Sequence, residues 1–349
     1  MSRAAILPFP GDPFLINYWL RFYDEIWGSE IDKLYIYLNS PIEKAAVDYI
    51  RDRIAKSKNI NFTYNPEQIE HGDAINRTLD LVTEDLVMLI EDDAFIFKPG
   101  YVDAAFKEIE SGEYDIVGSK RGSCSFEIMD AAEAKWGIAQ TGFGDNGCNF
   151  WPCYFFTKTD ILKKTSRRFG ARAWKQGETI TPLGLVVEAP EVVGDTFVNT
   201  SLELRAMIPE ARIDYVPQYH ASPDDLEHIK HQRFLFDGKA PWTHIGSLSS
   251  GVGGVLRDGH NRALTRRLID PEKGPTKLEN WANTDGEKRE WERRVTWWLN
   301  FFEFAFPPNE SIKEFYDLYG IAINTIIGQY DLSINNIRQM QKAYKSIGL

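Results

Sequence analysis

Three consecutive carboxylates, Glu91-Asp92-Asp93, follow an apolar run, Leu86-Val87-Met88-Leu89-Ile90, and apolar residues resume at once with Ala94-Phe95-Ile96-Phe97. A run of this length between polar residues reads as a buried parallel strand. The carboxylates then fall at its C-terminal end, where open α/β sheets bind their ligands. Three clustered negative charges repel one another and are costly to hold together without a cation. A donor set made only of oxygens suits Mg2+ or Mn2+ better than zinc or copper. The ordinary alternative is a solvated acidic turn.

A second group, His71-Gly72-Asp73-Ala74-Ile75-Asn76-Arg77, precedes the acidic strand. Gly72 permits close backbone approach, and a helix N-terminus here favours a phosphate or a sugar hydroxyl. The ordinary alternative is that Asp73 caps the helix and Arg77 is solvated. Pro8, Gly11, Asp12 and Asn39 lie at the ends of the first two strands, although turns need Pro, Gly and Asn in any case.

These residues need a scaffold, and the chain reads as one. Short strands are expected at Ala4–Leu7, Leu34–Leu38, Ile60–Tyr64, Leu86–Ile90, Asp115–Gly118, Phe150–Thr157 and Ile213–Pro217. Helices are expected over Phe14–Trp27, Ile42–Ala55, Asp73–Val82, Tyr101–Ser111 and Asp195–Ala206, with one starting over Asp160–Lys164. This alternation predicts an α/β fold with a mainly parallel sheet flanked by helices. Residues 222–262 read as loop with a glycine cluster, and helical spacing returns from Gly286 onward as a C-terminal extension. The expected division is therefore 1–225, 226–262 and 263–349.

With 349 residues, 43% hydrophobic and 13% aromatic, the chain has enough apolar material for a large core. A net charge of −11 argues against a general nucleic-acid-coating surface. Three cysteines without C-x-x-C spacing make neither a disulfide framework nor a zinc site. The N-terminal apolar run breaks at Pro8, unlike a signal peptide, and no window approaches the roughly 18–20 apolar residues of a membrane span. A soluble, cytoplasmic protein is the expectation.

The order of elements is strand, Pro/Gly loop, strand ending in Asn, His-Gly-x-Ala-x-Asn helix, buried strand and Glu-Asp-Asp. Over roughly residues 4–220 it resembles the nucleotide-sugar half of the GT-A glycosyltransferases, with their Rossmann-like sheet. The resemblance implies a divalent cation, Mn2+ or Mg2+, on Asp93, with Glu91 and Asp92 contacting the donor or supporting the metal. It implies donor contacts from Pro8, Gly11, Asp12, Asn39, His71, Gly72, Asp73, Asn76 and Arg77, and a UDP-sugar as the favoured donor. Asp195 resembles the catalytic base of inverting members, though Gly194 stands where an acid commonly precedes it; a plain helix cap is the alternative. His220 or His244 would complete the metal shell, and Lys239–Ser247 resembles a loop that closes over the diphosphate.

The acceptor is less legible. Phe143, Asp145, Asn149, Phe150 and Trp151 lie where family acceptor sites are found, or else are aromatic core. The Pro10-Gly11-Asp12-Pro13-Phe14 loop, the loop over Trp242–Ser250 and the helical tail loosely resemble phage-type transferases that glycosylate hydroxymethylated DNA pyrimidines. Arg257, Arg262, Arg266, Arg267, Arg293 and Arg294, with Trp291, Trp297 and Trp298, would supply the basic and aromatic groove that a flipped base or backbone contact needs. Asp258, Asp270, Glu290 and Glu292 interleave with them. Two competing readings are a sugar-nucleotide nucleotidyltransferase, disfavoured by a first loop without Lys or Arg, and a carbohydrate-binding protein with a degenerate site.

Overall fold

The computed structural model describes residues 1–11, 15–42, 44–96, 98–120, 124–137, 140–141, 145–146, 150–216, 242–244 and 331–346, with isolated positions between 285 and 328. The first half alternates strand and helix: β1 (Arg3–Phe9), α1 (Leu15–Phe22), β2 (Lys33–Asn39), α2 (Lys44–Ile54), β3 (Ile60–Asn65), α3 (His71–Leu81), β4 (Leu86–Leu89), β5 (Ala94–Ile96), α4 (Tyr101–Glu110) and β6 (Ile116–Lys120). Then come α5 (Phe126–Trp136), the short β7 (Gln140–Thr141) and β8 (Asp145–Asn146), the long β9 (Phe150–Lys158) and α6 (Thr159–Lys163). Four short strands follow, β10 (Arg172–Lys175), β11 (Thr179–Ile180), β12 (Leu185–Val186) and β13 (Glu191–Gly194), then α7 (Val198–Met207), β14 (Ile213–Val216) and β15 (Trp242–His244). A helix over Ile334–Ser346 is the last described element.

Seven strands form the main sheet in the order β14-β6-β9-β4-β1-β2-β3. All run parallel except β9, which is antiparallel to both β4 and β6. Alternation along each strand builds two cores. Ala5, Leu7, Phe9, Leu34, Ile36, Leu38, Leu86 and Met88 meet α1, α2 and α4 on one face. Ala4, Ile6, Tyr35, Val87 and Leu89 meet α3 and α7 on the other. Strands buried on both sides explain why these segments are continuously apolar.

The strand order creates a crevice. From β1 the chain moves outward through β2 to β3, then returns to β4 on the opposite side of β1. The carboxyl ends of β1 and β4 therefore flank a point where the winding reverses, the position at which open α/β sheets take ligands. Pro8 was expected just beyond β1, but it is buried within it, opposite Tyr37 of β2. Ile6 O accepts from Ile90 N at 3.1 Å, so Ile6 and, two residues on, Pro8 turn their backbone polar groups toward β4. The β1–β4 register ends at Ile6–Leu89, so the donor Pro8 lacks is not needed.

The helix expected over Phe14–Trp27 is split. α1 ends at Phe22, and Tyr23–Trp27 forms a π-helical turn. The wider turn keeps three aromatic rings on one face: Trp19 stacks on Tyr23 at 6.2 Å, and Trp27 meets Trp19 and Tyr23 edge-on at 5.4 and 5.1 Å.

Candidate functional site: an acidic turn where the winding reverses

The acidic triplet forms a tight turn. Ala94 N donates to Glu91 O at 3.1 Å, closing the four residues Glu91–Ala94. Asp92 and Asp93, at its centre, are 6% and 5% exposed, while Glu91 is half-buried. A solvated acidic turn would leave these carboxylates in water, so burial sets that alternative aside. The indole N–H of Trp19 also reaches the turn.

After the turn, β5 pairs antiparallel with β15, in the register His244–Ala94, Thr243–Phe95 and Trp242–Ile96. The backbone of His244 thus lies opposite the residue that follows Asp93. Sequence alone joined these segments through a resemblance; the strand pairing joins them physically. His220 and Asp12 lie outside the described residues, as do Phe143, Asn149, Trp291, Trp297, Trp298, Arg257, Arg262, Arg266, Arg267, Arg293 and Arg294. Among the described residues no group of three His, Cys, Asp or Glu side chains converges as a complete metal site.

α3 brings His71 to the same end of the sheet, and its N-terminus differs from expectation. Glu70, not Asp73, caps the helix: its carboxylate accepts from Gly72 N at 2.9 Å. Gly72 does permit a close approach, but to the protein's own chain. A Cβ there would lie 2.7 Å from both Gly170 Cα and Phe169 C. At this end of α3 the Gly72 N–H is therefore taken by Glu70, and the Gly72 Cα by the Phe169–Gly170 backbone. Asp73 and Arg77 are exposed. Asn76 is engaged by Arg167, donating to its backbone O at 2.5 Å and accepting from its Nε at 3.0 Å.

The two polar strand ends are likewise tied in. Asn39 donates to Ile69 O at 2.8 Å and accepts from Ile69 N at 3.0 Å, which fixes the segment entering α3. Gly11 has φ +96°, a conformation that disfavours any side chain, and is buried beside Leu38 and Ile42. Phe150 belongs to the core, tilted against Phe155 at 5.3 Å and stacked with Tyr215 at 6.1 Å, so core packing is the role of that aromatic. Asp145 pairs with Thr141 in the β7–β8 ladder. Glu292 is buried, accepting from Ser333 N at 2.7 Å and Asn336 Nδ2 at 3.0 Å at the start of the last helix.

Asp195 is not a helix cap. α7 begins three residues later, and Asp195 accepts from Thr196 N at 2.7 Å. The cap position belongs to Phe197, whose φ of 73° is left-handed. A non-glycine residue there costs on the order of 1–3 kcal/mol, and such strain gathers at functional sites. Tight packing overcomes it: Phe197 N donates to Phe169 O at 2.6 Å, and its ring stacks on Phe169 at 5.6 Å and meets Phe155 at 4.9 Å. The Phe169–Gly170 segment thus touches both Gly72 and Phe197, and so joins the turn that carries His71 to the turn that carries Asp195.

Asp195 reaches the surface as a residue, while protein crowds its carboxyl. Desolvation raises its pKa above the ordinary value; the Thr196 N–H opposes this, the charge of Glu91 raises it further and that of His71 lowers it. The fields of Glu91 and His71 at Asp195 reflect their proximity. Three residues far apart in sequence therefore share the carboxyl edge of the sheet: Glu91 on the acidic turn, His71 on α3 and Asp195 before α7. A carboxyl with a raised pKa beside this crevice has the chemistry of a general base.

No protein-family model and no curated protein matches this sequence. Among solved structures, residues 1–349 of TarS from S. aureus align with 99% of this chain and 92% of that one at 11% identity and TM-score 0.39. Glucosyl-3-phosphoglycerate synthase from Mycobacterium tuberculosis, in complex with Mn2+ and UDP-glucose, aligns over 66% and 76% at 14% identity and TM-score 0.39. The mannosyltransferase PcManGT from Pyrobaculum calidifontis, with GDP-Man and Mn2+, aligns over 99% and 84% at 10% identity and TM-score 0.41. At these values the likenesses establish neither the fold nor the activity of this chain.

Proposed function

We propose that this chain is a metal-dependent glycosyltransferase that moves a sugar from a nucleotide-diphosphate donor to an acceptor hydroxyl. One observation carries the reading: the buried pair Asp92–Asp93 sits on a closed turn beside the reversal of the β1/β4 winding. Buried paired carboxylates fit Mg2+ or Mn2+, ions that take oxygen ligands and are commonly held by one or two carboxylates plus substrate phosphates.

Asp93 and Asp92 would hold the ion, with Glu91 turned to the donor and His244 one register position away. Bound there, the ion would stabilise the charge that builds on the departing diphosphate. Asp195 accepts the proton of the acceptor hydroxyl as that oxygen bonds to the anomeric carbon and the carbon–diphosphate bond breaks. His71 tempers the basicity of Asp195, and the strained Phe197 fixes its loop. A UDP-sugar is the favoured donor.

The test is a panel of nucleotide sugars with Mn2+. Slow donor hydrolysis that chelation abolishes is expected, and Asp93→Asn should remove both the hydrolysis and metal-dependent donor binding. If no donor is hydrolysed and none shifts the melting temperature, the reading falls. Labelled transfer to free glycans and to hydroxymethylated DNA, in parallel, identifies the acceptor class. Pyrophosphate release from a nucleoside triphosphate and a sugar 1-phosphate would mark a nucleotidyltransferase instead.

A further inference from the structure

We infer that Trp19 is the positioning residue of the acidic turn, its indole N–H clamping the first and last backbone carbonyls of Glu91–Ala94. The inference rests on reading that turn as the metal–diphosphate clamp. Trp19 Nε1 lies 3.0 Å from Ala94 O and 3.3 Å from Glu91 O, a shared hydrogen bond spanning the turn that presents Asp92 and Asp93. An indole has a single donor and no acceptor, so both carbonyls are bound through one rigid group.

That group is itself fixed. Trp19 is 2% exposed, stacked on Tyr23 and edge-on to Trp27. The π-helical turn at Tyr23–Trp27 keeps those rings on its face of the helix. The ring packs in the core, and the N–H serves the turn. Two neighbouring carboxylates that must face one cation gain from a backbone that cannot spread, because flexing lets like charges part and lowers the charge density at the ion. β15 lies along the same segment as β5, so α1 and β15 both bind the strand and turn on which the aspartates depend.

Two variants test this on the full chain: Trp19→Phe, and β-(3-benzothienyl)alanine at position 19, which keeps the ring shape and replaces N–H with sulfur. Hydrogen exchange should quicken in peptides covering residues 91–96 and stay slow over 86–89. Titration of Mn2+ alone, followed by its paramagnetic resonance, should show binding about ten-fold weaker, the scale of loss for outer-shell changes. Unchanged exchange over 91–96 in the benzothienyl variant overturns the inference, whatever the metal does. Faster exchange with full Mn2+ affinity also overturns it, since the clamp would then position nothing of consequence. If the turn loosens but the unsubstituted protein binds neither Mn2+ nor any donor, the clamp stands as architecture and the glycosyltransferase reading is the part that fails.

Discussion

Gly72→Ala tests the joint between the two halves of the site. A methyl at Gly72 would sit 2.7 Å from Gly170 Cα and from Phe169 C, where ordinary contact begins near 3.4 Å. These are backbone atoms, so no side chain can swing aside, and the two segments must part by about 1 Å. Overpacking of this kind costs about 1–3 kcal/mol. The strain is transmitted onward, because Phe169 O accepts from Phe197 N and the two rings stack. Asp195 should then shift relative to His71, and misplacement on the order of 1 Å can lower a rate about 10²-fold. Urea unfolding reports the first effect and Mn2+-dependent donor turnover the second. Gly328→Ala, at an exposed helical position where a Cβ meets nothing within 4 Å, should leave turnover unchanged and should not lower stability. If Gly72→Ala matches the wild type in stability and turnover, the Phe169–Gly170 segment is not the joint described here.

Asp195→Asn should lower transfer by about 10²-fold or more while donor binding persists, measured by kinetics beside calorimetry; parallel loss of both would make Asp195 a binding residue. His71→Ala should move the acid limb of the pH–rate profile to higher pH, because it removes a charge that lowers the Asp195 pKa; a limb that does not move refutes their coupling. Asp115 is held down to about 2, first by its hydrogen bond from Arg212 and then by Lys158. Its folded-state pKa is depressed, so its contribution is present above the ordinary carboxylate value of 3.8 and lost as pH falls toward 2. Discounted for partial solvent screening, that is about 1–2 kcal/mol, which Asp115→Asn should remove from neutral-pH stability together with the steepness of acid unfolding.

The acidic strand was legible because burial on both faces demands an uninterrupted apolar run, and that demand lies within a few residues of sequence. Apart from β5 and the split of the first helix, the helices and strands of residues 3–120 matched their apolar spacing to within a residue or two at most ends. What escaped involves partners distant in the chain. The reversed direction of β9 depends on its neighbours, since an apolar strand buried on both faces reads alike in either direction. The pairing of β15 with β5 spans about 150 residues and leaves no periodic trace. Glu70 rather than Asp73 caps α3, and its carboxylate lies against Gly170, a hundred residues away in the chain. The Asn39 and Asn76 amides looked available for a ligand until their backbone partners at Ile69 and Arg167 were seen. Asp195 was singled out only through a resemblance, whereas the strained Phe197 two residues on gives a physical reason to look there.

The antiparallel strand inside the sheet also bears on how the chain is made. β4 has β1 on one side, and its other edge waits for β9, which begins at Phe150, some sixty residues after β4 ends. At about 5–20 residues per second that is several seconds of synthesis with an apolar edge unpaired. β6 emerges earlier but must wait too, since β9 lies between it and β4. A ribosome stalled between residues 121 and 149 would therefore hold β4 and β6 with no strand between them, the condition under which strand edges pair with other chains. The interval between β4 and β9 is where nascent copies of this protein depend most on being kept apart.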